Sequence, residues 1–471
     1  MSLARGVLLP GFSGTSLPGW IADALRHGLA GVCLFAENTP DIATTRALAD
    51  AVHALRADAV VASDEEGGDV TRLQARTGSA IPGNAALGVA DDVTLTRAVA
   101  EAYGRLIRLA GIDLALGPCL DVASEPLNPV IGVRSFSSSV DGVIRHGQAF
   151  VEGLLAAGVA SCAKHFPGHG DTRVDSHLAL PVLAVDDATL ASRELAPFAA
   201  VATDAVMTAH VVVPSRGPDP ASLSAWAYAE IAGLRGRVPV LTDALGMKAI
   251  SADLGMGEAC VRALEAGADL LILDAPHQRD AETDFADAVA AVEAAVVSGR
   301  LNADRLAASA AINATLARPG APAATPDAVG CAQAELEAVG ARAAAAALQT
   351  RGDVQITSAP VLLDLRRRLN HASGRTGGAL LEAVRFFDRQ ARAVDGVDEV
   401  PAGSALVVLT REPLADPAEG EALAAALAAR PDAVVVHGGV AAAAPEAERL
   451  VLTHGVGRAN ANAAAEAMWS R

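Results

Sequence analysis

The chain has 471 residues, a length typical of two domains or of one large domain with an appendage. Hydrophobic residues make up 51% of the sequence, which is enough for a sizeable buried core. The formal net charge is −18, and no block of Lys and Arg reverses it locally. Because such a charge repels phosphate backbones, the composition argues against nucleic acid as a partner.

The cysteines and the first residues bear on the cellular compartment. The five cysteines are dispersed without CxxC spacing, and four stand in apolar or helical contexts that favour buried thiols. No disulfide framework is expected, which is consistent with a reducing compartment. The N-terminal segment reaches Pro10 and Gly11 too early for a signal-peptide core, and no apolar run is long enough to cross a bilayer. We therefore expect a cytoplasmic protein with no membrane partner.

Short apolar runs alternate with segments of helical period through the first two-thirds of the chain. Eight runs are predicted strands: Gly6–Leu9, Gly31–Phe35, Ala59–Ser63, Leu114–Pro118, Ala160–Lys164, Ala205–Ala209, Val238–Thr242 and Leu270–Leu273. Helices are predicted between most of them, for example at Pro40–Leu55, Leu95–Ala110 and Val140–Ala157. Eight strand–helix units over roughly 250–300 residues have the size of a TIM-like (β/α)₈ barrel.

Ionisable residues follow several of these predicted strands directly. In a (β/α)₈ barrel the active site lies at the C-terminal ends of the strands, so such residues are expected to converge there. The residues concerned are Asp64, Glu65, Glu66, Asp121, Lys164, His165, His210, Asp243 and Asp274.

A Pro- and Gly-rich segment at 318–326 predicts a boundary after the barrel. An Ala- and Glu-rich helical stretch follows it, and then four strand candidates: Val361–Asp364, Ala405–Thr410, Ala433–His437 and Leu450–Thr453. The predicted fold class is therefore α/β, a (β/α)₈ barrel followed by a smaller α/β sandwich domain. We divide the chain into a catalytic barrel at 1–317, a linker with a connecting helix at 318–345, and a C-terminal domain at 346–471.

The segment KHFPGHGDTRVDSHLALP, Lys164–Pro181, holds three His, two Asp and one Lys within 18 residues. Its prolines and glycines exclude a regular helix over its first part, so it is predicted to be a long loop after the fifth strand. One interpretation is a metal site, but the His165–His169 spacing aligns ligands only on a helix. Another is acid/base catalysis by Asp175 and His177, whose side chains share one side of an extended loop. A third is a purely structural loop.

Asp243 stands at the end of the apolar run in VLTDALGM and precedes a Gly-containing turn. A carboxylate at this place faces the mouth of a barrel, where it serves as a nucleophile, a base or a metal ligand. The competing interpretation is a helix cap, since Asp is common at strand-to-helix junctions. The local sequence alone leaves these alternatives open.

From about Leu8 to Asp274 the chain resembles glycoside hydrolase family 3, and specifically its β-N-acetylglucosaminidase branch. The resemblance is carried by KHFPGHGDTRVDSHLALP, SDEEGG, NPVIGVRSF and VLTDALGM, which stand in the family's order. It implies that Asp243 is the catalytic nucleophile, that His177 is the acid/base and that Asp175 is its dyad partner. It also implies a set of residues that hold the sugar next to the scissile bond: Asp64, Arg72, Arg134, Lys164 and His165. For Arg72 and Arg134, a structural ion pair at the barrel rim is the alternative.

The chain departs from the family pattern at three places. Asp69 stands where Arg is usual, Ala244 replaces an Asp after the nucleophile, and Ser137 stands where Gly is frequent. None of these changes removes a catalytic group, but they leave the substrate preference open.

The resemblance implies retaining hydrolysis of a terminal β-linked N-acetylhexosamine through a glycosyl–aspartate intermediate, without a metal or another cofactor. The implied partner is an N-acetylglucosamine-containing oligosaccharide or muropeptide. Phosphorolysis is an alternative, because a neutral His177 repels phosphate less than a carboxylate would. A noncatalytic sugar-binding barrel is the alternative outside enzymology. The glycines of the loop suggest that it closes on the substrate.

Overall fold

An eight-stranded parallel sheet dominates the N-terminal two-thirds of the computed structural model, which describes residues 3–173, 180–273, 280–357, 359–367 and 378–469. Its strands are β1 (Leu8–Leu9), β2 (Gly31–Leu34), β3 (Val60–Ser63), β4 (Leu114–Ala115), β5 (Ala160–Phe166), β6 (Ala205–Thr208), β7 (Val240–Thr242) and β8 (Leu270–Ile272). They pair in the order β1-β8-β7-β6-β5-β4-β3-β2. All eight overlap the strands predicted from sequence.

The sheet curves round until its two edges meet. The Cys33 amide of β2 donates a hydrogen bond of 3.0 Å to the Pro10 carbonyl oxygen, which directly follows Leu9 of β1. Alternate strand side chains, such as Leu9, Cys33 and Val60, fill the interior, and their neighbours face the surrounding helices. The first part of the chain is thus a (β/α)₈ barrel, as predicted.

Helices cover the outside of the barrel, and capping side chains mark where several of them begin. The carboxylates of Asp41 and Asp92 and the hydroxyl of Ser139 each accept a hydrogen bond from a first-turn amide. The barrel helices are α1 (Gly19–Arg26), α2 (Ile42–Leu55), α3 (Asn84–Ala90), α4 (Val93–Leu109), α5 (Val140–Ala156), α6 (Asp187–Thr189), α7 (Ala196–Ala200), α8 (Ala225–Arg235), α9 (Lys248–Ala266), α10 (Ala281–Val297) and α11 (Ala303–Asn313).

A short antiparallel hairpin, 65–71, leaves the C-terminal end of β3. Its strands are Glu65–Gly67 and Val70–Thr71, joined by a turn at Gly68 and Asp69. Gly67 and Gly68 have φ angles of 82° and 59°, which favour glycine. A Cβ on Gly68 would lie 2.5 Å from the Gly83 Cα, so the close approach also requires glycine there.

The C-terminal region forms a second sheet with helices on both faces. Its strands are β9 (Gln349–Arg351), β10 (Pro360–Asp364), β11 (Arg392–Val394), β12 (Ala405–Thr410), β13 (Val434–His437) and β14 (Leu450–Leu452). The order is β9-β14-β13-β12-β10-β11, and only β9 runs antiparallel to its neighbour among the described pairs. Alternate residues of β12 pack into two separate cores, one on each face, so the expected sandwich is present.

Four further helices complete the described chain: α12 (Pro326–Ala347), α13 (Ala379–Phe387), α14 (Pro417–Ala429) and α15 (Arg458–Trp469). α12 connects the two sheets and packs against the barrel helices α3 and α4 and against α15 of the C-terminal domain. The exact domain limits at 317/318 and 345/346 stay a prediction. Within the described ranges, no helix combines the length and the apolar character needed to span a bilayer.

We predict opposite effects for two glycine-to-alanine substitutions in α12. A Cβ on Gly340 would lie 1.9 Å from the Ala80 carbonyl oxygen, so Gly340→Ala must push the helix off the barrel. We expect it to lower the free energy of unfolding by about 1–3 kcal/mol in urea titrations. Nothing lies within 4 Å of a Cβ on Gly330, so Gly330→Ala should raise it by about 0.5–1 kcal/mol. Equal effects of both changes would contradict this packing.

Candidate active site

The C-terminal ends of β3 to β7 lie side by side at one mouth of the barrel. Backbone hydrogen bonds continue beyond the strands there: the Leu116 amide donates to Ser63 O at 2.9 Å, and the Asp243 amide donates to Thr208 O at 3.0 Å. The segments that follow the strands are therefore held as firmly as the strands themselves. Most of the ionisable residues singled out in the sequence stand on these segments.

Asp64, directly after β3, is held between two cations. Its Oδ1 lies 2.8 Å from Lys164 Nζ, and its Oδ2 lies 2.9 Å from Arg72 Nη2. Burial alone would raise the pKa of the Asp64 carboxyl, but the charges of Lys164 and Arg72 outweigh it and hold the pKa well below its usual range. Asp64 is thus a fixed carboxylate, and its side chain remains 20% exposed at the mouth.

Glu66 is the buried centre of the same network. Arg134 donates to both of its carboxylate oxygens, at 3.0 Å from Nε and 2.8 Å from Nη2, and Lys164 Nζ lies 2.6 Å from Oε1. Burial opposes ionisation, but Arg134 and Lys164 lower the pKa of Glu66 to about 2. Lys164 therefore joins Asp64 to Glu66 and links both carboxylates to β5.

His165 is oriented by partners on both ring nitrogens. Its Nδ1 lies 2.8 Å from Asp121 Oδ2, and its Nε2 lies 3.1 Å from Arg134 Nη2. Because Arg134 has only donors, Nε2 accepts, and the proton of the ring sits on Nδ1 and is donated to Asp121. Asp121 also accepts a hydrogen bond of 2.7 Å from the His169 amide, so one carboxylate contacts both His165 and His169.

The described part of the Lys164–Pro181 loop is anchored at several points. Asn128 Nδ2 donates to the carbonyl oxygens of His169 and Gly170, at 2.8 Å and 3.1 Å. A Cβ on Gly170 would lie 1.8 Å from Val122 O, so close packing requires glycine here. Asp175 and His177, the expected dyad, lie outside the described residues.

Asp243 is half-buried at the end of β7, and its Oδ1 accepts a hydrogen bond of 2.8 Å from the Ala244 amide. The turn after it is supported by His210, which follows β6. His210 Nε2 lies 2.9 Å from the Ala244 carbonyl oxygen, and its Nδ1 lies 2.7 Å from Ser222 Oγ. A carbonyl oxygen only accepts, so Nε2 carries the proton and holds the turn.

The negative charges of Asp243 and Asp64 both affect the same two buried thiols. Burial raises the pKa of Cys33 on β2 and of Cys162 on β5, and the negative charges of both Asp64 and Asp243 add to the rise at each thiol. Both carboxylates therefore act on the same two points of the barrel interior. Asp64 follows β3 and Asp243 follows β7, so both stand at the C-terminal ends of barrel strands, and Lys164 is on β5, which lies between those two strands in the sheet.

The metal interpretation of the loop is not favoured by the contacts of its described candidates. His169 Nδ1 lies 2.6 Å from Thr172 Oγ1, and Asp171 Oδ2 lies 2.5 Å from Arg193 Nη2. Cys119, Asp121 and His165 do lie close enough together to share an ion. However, His165 already donates to Asp121, and burial raises the pKa of the Cys119 thiol and so opposes the thiolate that a metal requires.

Sequence reasoning assigned no role to two residues that organise the site. Glu66 and Asp121 are buried partners of the candidate sugar-binding residues Arg134, Lys164 and His165. In the sequence, their position shortly after the third and fourth predicted strands could have indicated this role. Arg72 and Arg134 do form ion pairs near the rim, with Asp64 and Glu66, as the structural interpretation expected.

These features define a (β/α)₈ barrel whose ionisable residues gather at the C-terminal ends of the strands, where the active sites of enzymes with this fold lie. Residues 20–314 match the glycosyl hydrolase family 3 N-terminal domain, and the chain belongs to this family. The family resemblance and the enzyme class, a glycoside hydrolase, are thereby confirmed.

Curated relatives carry a more specific name. The chain is 33% identical to beta-hexosaminidase A of Pseudoalteromonas piscicida over 63% of its own length and 54% of that protein. It is 38% identical to a beta-hexosaminidase of Xylella fastidiosa (strain M23), over 58% of this chain and 84% of that protein. The chain thus spans about half of the first relative and most of the second.

Solved structures extend the likeness to the second domain. A family 3 beta-N-acetylglucosaminidase from Paenibacillus sp. str. FPU-7 superposes with a TM-score of 0.86 at 28% identity. The match covers 99% of this chain and 96% of that chain, so both share the barrel and the C-terminal sheet.

We predict that Glu66→Gln is strongly destabilising. The change leaves Arg134 and Lys164 buried without the carboxylate that compensates them, so we expect the free energy of unfolding at pH 7 to fall by about 3–5 kcal/mol in urea titrations. Glu335→Gln is the matched control, because the Arg105–Glu335 pair is about half exposed. It should cost no more than about 1 kcal/mol. If Glu66→Gln lowered the free energy of unfolding by no more than the control does, the assigned contacts would be contradicted.

The same carboxylates predict an acid-sensitive stability. Because the pKa of Glu66 is lowered from 4.5 to about 2 in the folded protein, its contribution is fully present above pH 4.5. It is lost as the pH falls from 4.5 through 2, and Asp64, whose pKa is also lowered, acts in the same direction. Urea unfolding over this range should show a steeper loss for wild type than for Glu66→Gln. Parallel curves would refute the prediction.

Proposed function

We propose that the protein is a retaining exo-β-N-acetylhexosaminidase that releases terminal β-linked N-acetylglucosamine. The observation that carries the proposal is the pairing of Asp243, half-buried at the end of β7, with the charge network of Asp64, Lys164 and Arg72 at the same mouth. A fixed carboxylate flanked by fixed cations offers acceptors and donors to adjacent sugar hydroxyls. The names of the similar hexosaminidases support the same substrate class.

In the first step, Asp243 attacks the anomeric carbon of the bound sugar. A bond forms between its carboxylate oxygen and that carbon, while the bond from the carbon to the leaving oxygen breaks. His177 gives its proton to the leaving oxygen. Asp175 accepts a hydrogen bond from the other ring N–H and fixes the orientation of the imidazole; both roles rest on the sequence motif.

In the second step, a water molecule replaces the leaving group. The neutral imidazole of His177 takes a proton from the water while its oxygen bonds to the anomeric carbon, and the ester bond to Asp243 breaks. The sugar is released with its original configuration, and both residues return to their starting states. An imidazole pKa near roughly 6.5 suits both halves of this cycle.

We assign sugar binding to five residues at the mouth: Asp64, Arg72, Arg134, Lys164 and His165. Asp64 is the natural acceptor for two adjacent hydroxyls, since its carboxylate is fixed and partly exposed. Lys164 and Arg134 are buried deeper, so their first effect is to hold Asp64, Glu66 and His165 in place. Such preset geometry lowers the reorganisation needed at the transition state.

We further propose that the natural substrates are small cytosolic fragments, either muropeptides or chito-oligosaccharides. The five free cysteines, four of them buried, are consistent with a reducing compartment. The overall charge of −18 disfavours strongly anionic polymers as partners. Comparing kcat/KM for a purified muropeptide and for chitobiose would rank the two.

Asp243→Asn should abolish turnover while leaving the fold intact. The amide cannot act as a nucleophile, so we expect the release of nitrophenol from an aryl β-N-acetylglucosaminide to fall by about 10³-fold or more. Asp58→Asn, which alters an exposed Asp paired with Arg56, is the control and should keep wild-type activity.

Trapping then locates the nucleophile. A fluorinated aminosugar substrate should label the peptide that contains Asp243, and mass spectrometry would identify the modified residue. Equal and negligible release by wild type and Asp243→Asn, with sugar binding retained, would favour a noncatalytic binding protein. Label on another carboxylate would remove Asp243 from its role.

Phosphorolysis is tested by the product. In phosphate buffer, hydrolysis yields free N-acetylglucosamine, whereas phosphate attack on the same intermediate yields the sugar 1-phosphate. Turnover in an inert buffer at the same rate as in phosphate would support hydrolysis. Formation of the sugar 1-phosphate as the main product would overturn it.

A further inference from the structure

The turn of the 65–71 hairpin touches the C-terminal domain through Asp69. The Val456 amide donates a hydrogen bond of 2.9 Å to Asp69 Oδ1, and Arg411 Nη2 lies 3.2 Å from Asp69 Oδ2. The Asp69 side chain is 1% exposed and the Arg411 side chain 9% exposed. This is a buried ion pair between the barrel and the end of β12.

A glycine-rich turn of the C-terminal domain closes over the same place. A Cβ on Gly457 would lie 3.4 Å from Gly68 O, so this turn lies directly on the hairpin turn. The Ala459 amide donates to Ser79 O at 3.1 Å, and Ser79 Oγ in turn accepts from the Gly68 amide at 3.1 Å. Contacts from both sides therefore hold the tip of the hairpin.

The hairpin also lies between two candidate sugar-binding residues and contains a buried partner of two others. Asp64 directly precedes it, Glu66 is in its first strand, and Arg72 directly follows it. Glu65 closes the base of the hairpin by accepting hydrogen bonds from the Arg72 and Leu73 amides at 3.1 Å and 2.9 Å, and Ser63 Oγ, at the end of β3, donates to the same carboxylate at 3.1 Å. At the tip, the Asp69 side chain links the hairpin to the C-terminal domain, beside the contact of Gly68 with Gly457.

We infer that Asp69 is a positioning residue through which the C-terminal domain sets the placement of Asp64, Glu66 and Arg72. The inference rests on the proposed function for its kinetic readout. A tip released from Arg411 and Val456 keeps only the backbone contacts of Gly68 with Ser79 and Gly457, so the hairpin is held less firmly, and Asp64 and Arg72 sample positions from which they contact the sugar poorly. Small displacements of positioning groups cost large factors in rate.

The test compares Asp69→Ala and Asp69→Asn with Glu337→Gln. The Arg458–Glu337 pair joins α15 to α12 at 2.9 Å and does not include the hairpin, so Glu337→Gln loosens the domain contact elsewhere. Asp69→Asn keeps an oxygen for the Val456 amide but loses the charge that faces Arg411. We expect kcat/KM for the aryl glycoside to fall 10- to 100-fold in Asp69→Ala, less in Asp69→Asn, and less than twofold in Glu337→Gln.

A double-mutant cycle separates positioning from a general loss of stability. If the Asp69–Arg411 pair acts on the site, Arg411→Gln should lower kcat/KM much less in the Asp69→Ala background than in wild type. The thermal unfolding curve of every variant is measured to check that each one is folded at the assay temperature. Additive effects of the two changes, or a kcat/KM for Asp69→Ala within twofold of wild type, would overturn the inference.

Hydrogen exchange provides a readout that does not depend on the substrate. Peptides that cover residues 64–73 should exchange faster in Asp69→Ala than in wild type, and at the wild-type rate in Glu337→Gln. Unchanged exchange over 64–73 would overturn the inference even if the enzyme were inactive on the aryl glycoside. An inactive wild type with the expected exchange pattern would refute the proposed function. It would still support the inference that Asp69 connects the hairpin to the C-terminal domain.

Discussion

The buried charge balance at the mouth of the barrel is the constraint on which the rest of the site depends. Three cations, Arg72, Arg134 and Lys164, pair with the carboxylates of Asp64 and Glu66, and the Asp121 carboxylate accepts a hydrogen bond from His165. Removing such groups from water costs several kcal/mol each unless every partner is present. The charges of the network are therefore balanced only when all of these side chains are in contact. These contacts fix β3, β5 and the segment before Arg134 relative to one another.

This constraint explains why structural and functional interpretations of the same residues do not exclude each other. Arg134 and Lys164 form buried ion pairs, and Lys164 at the same time holds Asp64, the carboxylate that is partly exposed at the mouth. Buried ion pairs are weak devices for stability, since apolar residues of similar volume serve as well. Their concentration at the strand ends is better explained by preset electrostatics for the proposed sugar substrate.

Much of the fold could be predicted because periodicity and strand ends are local signals. All eight barrel strands and four strands of the second sheet overlap their predicted positions. The two strands of the second sheet that were missed, Gln349–Arg351 and Arg392–Val394, are edge strands of only three residues with mostly exposed side chains, too short to give an apolar run. Glycines were interpreted only in part: Gly170 was expected to allow loop movement, whereas the backbone of Val122 approaches so closely that only glycine fits.

Contacts between the domains could not be predicted, because no local pattern relates Asp69 to Arg411. In sequence, Asp69 appeared only as a departure from the family's usual Arg. In the structure it is the acidic half of a buried pair, and an Arg at this position would face Arg411 with like charge. The presence of Asp instead of Arg at position 69 is therefore explained only by its contact with the second domain. If the acid/base is supplied by the barrel's own loop, as proposed, that domain is not needed for the chemistry, and its connection to the site is mechanical, through the hairpin that carries Asp64 and Arg72.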